Sequence, residues 1–141
     1  MSDGCETHRI MIVEDEPLVS SYIAHVLEEF SFEIAGCPSS GAEAIAVAEQ
    51  TGARLAVIDI QLSGPMDGIE VAKILRDRFG IPTIFLSGAK NQETIERARA
   101  VYPKAILQKP FLPSELLAAI QQAFPPTPPT ESPLSSDGIT G

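Results

Sequence analysis

The sequence predicts an α/β fold: a doubly wound parallel sheet of five strands with helices on both faces. Three observations predict it. Short apolar runs alternate five times with amphipathic stretches of helical spacing. The runs Ile10-Met11-Ile12-Val13 and Leu55-Ala56-Val57-Ile58 show no polar alternation, so both faces of those strands must be buried, which is the parallel-sheet pattern. Carboxylates stand at the ends of these two runs, where an ionised group can leave the apolar layer and find a partner or a cation.

Composition sets the outer bounds. At 141 residues, 44% hydrophobic and 21% charged, the chain is expected to form one domain with its own core. The net charge is −9, of which Glu131 and Asp137 near the end contribute two units and the rest of the chain seven. Such an acidic chain is a poor partner for nucleic acid, and no direct nucleic-acid contact is expected. Cys5 and Cys37 make neither a disulfide framework nor a metal cluster. No apolar run approaches membrane-spanning length, and residues 1–9 carry no signal-peptide core, so a soluble, cytoplasmic protein with no membrane partner is expected.

Taken in order, residues 1–7 are polar and unpatterned and read as a disordered lead, with the folded domain over 8–124. The first strand ends in Glu14-Asp15-Glu16. Pro17 suits the first turn of a helix, and Leu18, Val19, Tyr22, Ile23, Val26, Leu27 and Phe30 carry its apolar spacing to about Phe30. Phe32 to Ala35 reads as a short second strand closed by Gly36. Ser40-Gly41-Ala42-Glu43 has capping-box spacing and opens a helix to about Gln50, with Ala44, Ile45, Val47 and Ala48 inward and Thr51-Gly52 as its stop.

The third strand runs from Leu55 to Ile60. Gln61 to Gly68 is turn chemistry, which puts Asp59 near the strand's exit. Asp67 caps a helix carrying Ile69, Val71, Ala72, Ile74 and Leu75 and stopped by Phe79-Gly80. Pro82 to Leu86 is the fourth strand, ending at Ser87-Gly88. Asn91 caps a polar fourth helix in which only Ile95, Ala98 and Val101 face inward. Ala105 to Leu107 is the fifth strand, followed by Lys109-Pro110. Pro113 opens the last helix, with Leu116, Leu117, Ile120 and Phe124 inward. Residues 125–141, with Pro-Pro-Thr-Pro-Pro, read as a proline-rich disordered tail. His25 and Cys37 read as structural, and Tyr22 and Tyr102 as packing residues.

In open parallel sheets ligands bind at the carboxyl edge of the strands. Here that edge gathers Glu14, Asp15, Asp59, Ser87 and Lys109 from four strands. Three converging carboxylates raise one another's pKa unless a cation sits among them, and few oxygen ligands with room for water suit Mg²⁺. A dianionic phosphoryl group needs a metal, an ammonium and a hydroxyl around its oxygens, which makes Asp59 a candidate nucleophile and phosphoacceptor. Bland readings stand beside these. Asp59 can cap the next turn, Glu14 and Asp15 can favour a helix dipole, Ser87 can be turn chemistry and Lys109 a solvated loop residue. Together those readings require four coincidences at one edge.

Ile12-Val13-Glu14-Asp15-Glu16, the strand ending in Asp59 with Met66-Asp67-Gly68, Leu86-Ser87-Gly88 and Lys109-Pro110-Phe111 occur in that order, each after its own strand. On these motifs the chain resembles a response-regulator receiver domain of the CheY-like superfamily of two-component signalling, over about residues 8–124. The resemblance implies the flavodoxin-like strand order 2-1-3-4-5, for which CheY is a standard example. It also implies Asp59 as phosphoacceptor, and Mg²⁺ held by Glu14, Asp15, Asp59 and the Gln61 backbone carbonyl, with Asp15 the more direct of the acidic pair. Ser87 and Lys109 would sense the phosphoryl group, and Lys109–Pro110 would be cis. Expected partners are a histidine kinase or histidine phosphotransfer protein and a downstream protein target, with a homodimer left open.

Two departures stand out. The proline usual after the acceptor strand is absent, and Leu62-Ser63-Gly64-Pro65 occupies that loop with one extra residue before Gly68. The aromatic switch position three before the lysine is Ile106. The leading reading is a stand-alone receiver that signals through protein contacts, itself not an enzyme but assisting its own Mg²⁺-dependent phosphorylation and dephosphorylation. An unphosphorylated docking scaffold and a receiver fragment of a larger regulator or hybrid kinase are the alternatives. A haloacid-dehalogenase-type phosphatase would want Asp-x-Asp at the end of the first strand, where Glu14-Asp15-Glu16 stands.

Overall fold

A computed structural model of the chain describes residues 9–88 and 91–124. The expected lead and tail lie outside the described residues. Five strands and five helices alternate: β1 Arg9–Val13, α1 Pro17–Glu29, β2 Glu33–Gly36, α2 Gly41–Thr51, β3 Leu55–Asp59, α3 Gly68–Phe79, β4 Thr83–Ser87, α4 Gln92–Arg99, β5 Ala105–Gln108 and α5 Pro113–Ala123. All strand pairs are parallel, in the order β2-β1-β3-β4-β5.

The unbroken apolar runs have a simple cause. Successive side chains of a strand point to opposite faces. Ile10, Ile12, Leu55, Val57, Ile84 and Leu86 pack with α1 and α5, whereas Met11, Val13, Ala56, Ile58 and Phe85 pack with α2, α3 and α4. Every residue of β3 and β4 is buried, while the edge strands β2 and β5 are only partly covered. Among the described residues no helix is long and apolar enough to cross a membrane.

The helix ends follow their local chemistry. Asp67 Oδ1 accepts from Glu70 N at 2.9 Å and Glu70 Oε1 from Asp67 N at 3.0 Å, a complete capping box. Asn91 Oδ1 caps α4 by accepting from Glu93 N and Thr94 N. Ser40 Oγ accepts from Glu43 N, but the Glu43 carboxylate turns to the backbone N–H and hydroxyl of Ser39, so the expected box closes one residue early. Gly52 and Gly80 end α2 and α3 with φ of 66° and 67°.

Four side chains differ from expectation. Leu18 is 86% exposed and Tyr22 is also exposed, because both lie on the flank of the stripe formed by Ile23, Val26 and Leu27. Phe30 points along the stripe but follows the last turn of α1 and is exposed. Tyr102 is 78% exposed, with φ of 56°, and the Arg76 guanidinium lies 5.2 Å from its ring centroid. Cys37 and His25 are not core residues either: Cys37 is exposed, and His25 Nε2 sits 3.3 Å from Glu29 on an open helix face.

Candidate functional site

The carboxyl edge of the sheet is built by main-chain bonds that continue past the strands. Glu14 N donates to Pro38 O at 3.2 Å, Ile60 N to Leu86 O at 2.9 Å and Lys109 N to Ser87 O at 2.8 Å. These bonds fix the backbone at or next to each site residue before any side-chain contact is counted. Gly68 closes the β3–α3 loop by donating its N–H to Ile60 O, and a Cβ there would collide with the Asp59 carbonyl oxygen. The Asp67-Gly68 motif therefore serves both a helix cap and a backbone crossing that only glycine fits.

Asp59 closes β3 and is only 4% exposed. Its Oδ1 accepts from Gln61 N at 3.0 Å, and its Oδ2 lies 3.1 Å from Lys109 Nζ. The same ammonium lies 3.5 Å from Glu14 Oε1. Glu14, itself buried, also accepts at Oε2 from Glu16 N at 3.2 Å. Glu14, Asp15 and Asp59 each present an oxygen within 4.8 Å of the others'. Ser87 ends β4, fully buried, in register with Gln108 just before Lys109. The Lys109–Pro110 peptide is cis. Ile106 lies apart from the carboxylates, half-buried against the core layer beneath α2, α3 and α4.

Two contacts were not anticipated from the sequence. Asp15 Oδ2 accepts from Ser63 N at 3.1 Å and from the Ser63 hydroxyl. Gln61, considered for its carbonyl, turns its side-chain Oε1 to Gly88 N at 3.3 Å and so joins the β3–α3 loop to the end of β4. In the sequence Ser63 was visible only as a hydroxyl residue in a loop of unusual length. A loop partner 48 positions from Asp15 cannot be inferred from spacing alone.

The electrostatics follow from crowding. Burial first, and the Asp59 charge second, push Glu14 up to about 7. The Ser63 hydroxyl and N–H hold Asp15 below the ordinary carboxylate range. Burial works against the Lys109 charge, but the hydrogen bond and charge of Asp59, with help from Glu14, outweigh it and hold Lys109 above its usual value. Three acids facing one ammonium leave the pocket short of positive charge. The donor set is all oxygen, so the residues fit a hard divalent cation such as Mg²⁺.

The chain matches the family model of the response regulator receiver domain over residues 10–121. The chain belongs to that family. As a receiver domain of two-component signalling it is 33% identical to the transcriptional regulatory protein PdtaR of Mycobacterium tuberculosis over 122 residues, 86% of this chain and 59% of that protein. It is 31% identical to the phyllosphere-induced regulator PhyR of Methylorubrum extorquens, over 82% of this chain and 43% of that protein. The receiver thus spans about half the length of these curated relatives. Among solved structures, the signal receiver domain of a modulated diguanylate cyclase from Desulfovibrio desulfuricans G20 superposes with a TM-score of 0.78 at 32% identity, covering 82% of this chain and 91% of that one. A CheY-like receiver domain protein from Methanospirillum hungatei JF-1 gives 0.76 at 26% identity, covering 83% and 93%.

Proposed function

We propose that this receiver is a phosphorylation switch with Asp59 as its acceptor. An Asp59 oxygen attacks the phosphorus of a phosphohistidine on a histidine kinase or histidine phosphotransfer protein. A P–O bond forms to Asp59, the P–N bond breaks with its electron pair left on the ring nitrogen, and the imidazole leaves neutral, keeping the proton already on its other ring nitrogen. Lys109, already 3.1 Å from Asp59 Oδ2, shifts its charge onto a phosphoryl oxygen, and the Ser87 hydroxyl donates to another. Glu14, Asp15, Asp59 and the Gln61 carbonyl would hold Mg²⁺, which when bound offsets the negative charge of the phosphoryl oxygens. The observation that carries this reading is the meeting of Lys109 with Asp59 inside a three-acid cluster on the ligand-binding edge of the sheet.

A groove of about 460 Å³ beside Lys109, lined by Leu18, Val19, Tyr22, Lys109, Pro110 and Phe111, supports a protein donor. An apolar rim next to the acceptor suits the face of a partner helix better than a small-molecule substrate. Output runs through protein contact, with α4 and β5 as the responding segment and Ile106 in the switch position. The 59% and 43% shares of the relatives' lengths favour a second reading, in which the domain acts as the receiver of a longer regulator. Sequencing the intact product from its source separates that reading from a stand-alone protein.

The test is labelling by a small acyl phosphate and by a panel of phosphorylated kinases, with mapping of the labelled residue. Wild type should label only with Mg²⁺, Asp59→Asn should not label, and Asp15→Ala should lose most of its Mg²⁺ response. Undiminished labelling of Asp59→Asn would overturn the assignment.

A further inference from the structure

We propose that Ser63 is a positioning residue for Asp15, holding that carboxylate ready for a divalent cation; the inference rests on the reading of the acidic site given above. Asp59 and Glu14 are each held by Lys109 and by a nearby main-chain N–H. Asp15 sits on the bend after β1 and is half-buried, and its Oδ2 is held from across the edge by the Ser63 N–H at 3.1 Å and the Ser63 hydroxyl.

The loop presents Ser63 for this task. Leu62 before it is buried and ties the loop to the core, and Gly64 after it turns the chain with φ of 104°, a conformation other residues rarely adopt. A proline at position 63 would have no N–H to donate. Serine at this position therefore brings two donors to one metal-side carboxylate.

A carboxylate has about four lone-pair sites, so two donors on Oδ2 leave room for a cation. Donors that stand behind a ligand fix its orientation, and losing them typically weakens metal binding by about 10–100-fold. Ser63 thereby supplies the ordering of Asp15 before the cation arrives. A serine that only ties the loop shut would affect the fold and leave cation affinity alone.

The experiment measures Mg²⁺ affinity by calorimetry, and melting temperature without metal, for the full chain as wild type, Ser63→Ala, Ser63→Thr and Asp15→Ala. Ser63→Ala should bind Mg²⁺ about tenfold more weakly, with Ser63→Thr close to wild type and the metal-free melting temperature of both unchanged. In acyl-phosphate labelling, Ser63→Ala should need about tenfold more Mg²⁺ for half-maximal rate and reach the wild-type rate at saturation. Equal or tighter Mg²⁺ binding by Ser63→Ala overturns the proposal, as does a lowered metal-free melting temperature with unchanged affinity. Failure of wild type itself to bind Mg²⁺, or full binding by Asp15→Ala, would overturn the reading of the acidic site and this inference with it.

Discussion

Helices α3 and α4 lie on the same face of the sheet, and each opens with a side-chain cap, yet the core holds them very differently. α3 buries Gly68, Ile69, Val71, Ala72 and Leu75; α4 buries Ala98 alone, with Ile95 half-covered and Val101, also half-covered, past its end. Caps decide where a helix starts, while burial of an apolar face decides how firmly it stays. The difference divides the site. Asp59 emerges beside α3, where Gly68 locks the backbone, whereas Ser87 and Lys109 lead into and out of the segment that carries α4. A phosphoryl group bridging the two would join a firmly held half to a lightly held one, which is the arrangement a switch requires.

The sharpest way to break this comparison is to empty each helix's contact. Leu75→Ala should cost about 2–5 kcal/mol of unfolding free energy, measured by denaturant titration. Ile95→Ala on the half-covered face of α4 should cost about 1 kcal/mol. Equal losses would mean that α4 is held as firmly as α3. Gly68→Ala comes next: a Cβ against the Asp59 carbonyl should cost about 1–3 kcal/mol and, on the proposed role of Asp59, slow its labelling, since the backbone there must shift. Asn91→Ala should cost about 1 kcal/mol and show as faster hydrogen exchange confined to α4. Adding an acyl phosphate with Mg²⁺ should change exchange across α4 and β5 more than across α3; equal protection in both states would place the switch elsewhere.

A separate effect tests the acidic half alone. Glu14 titrates near 7 in the folded chain against 4.5 for an ordinary glutamate, so the folded state binds more protons between those values. Its contribution is fully present below 4.5 and is lost as pH rises through about 7. Without metal, the wild-type melting temperature should therefore fall relative to Glu14→Gln by a few degrees across that window. Mg²⁺ should recover the difference above it, because the cation needs the carboxylate ionised. A wild type that tracks Glu14→Gln throughout would mean that Glu14 is not the strained member of the cluster.

The sequence made most of the fold legible because a doubly wound sheet writes its burial directly into the chain. Runs such as Leu55-Ala56-Val57-Ile58 can lie only in its middle, and Gly52, Gly80, Asn91 and Pro113 mark helix ends by chemistry local to a few residues. The convergence of Glu14, Asp15, Asp59 and Lys109 was legible for the same reason, since each follows its own strand. Contacts that depend on a loop's path in space were not. Ser63 on Asp15, Gln61 on Gly88 and the shift of Glu43 from Ser40 to Ser39 turn on loop geometry that spacing does not encode. Exposure of Leu18 and Tyr22 was missed because periodicity gives a direction around a helix but not how far the neighbouring layer extends, and that of Tyr102 because it turns on the backbone of the loop after α4.

The main-chain bonds that run on beyond the strand ends, from Glu14 to Pro38, Ile60 to Leu86 and Lys109 to Ser87, have a consequence for loop length. They uncouple the place of Asp59 from the length of the loops that follow it. Chain added after the last of these bonds leaves Asp59, Glu14 and Lys109 where the sheet put them, so the loop around Ser63-Gly64-Pro65 can lengthen without moving them. Insertions between Gly64 and Met66 should yield a family of folded, labelling-competent proteins that differ in loop shape. A single residue inserted between Asp59 and Gln61 should yield none.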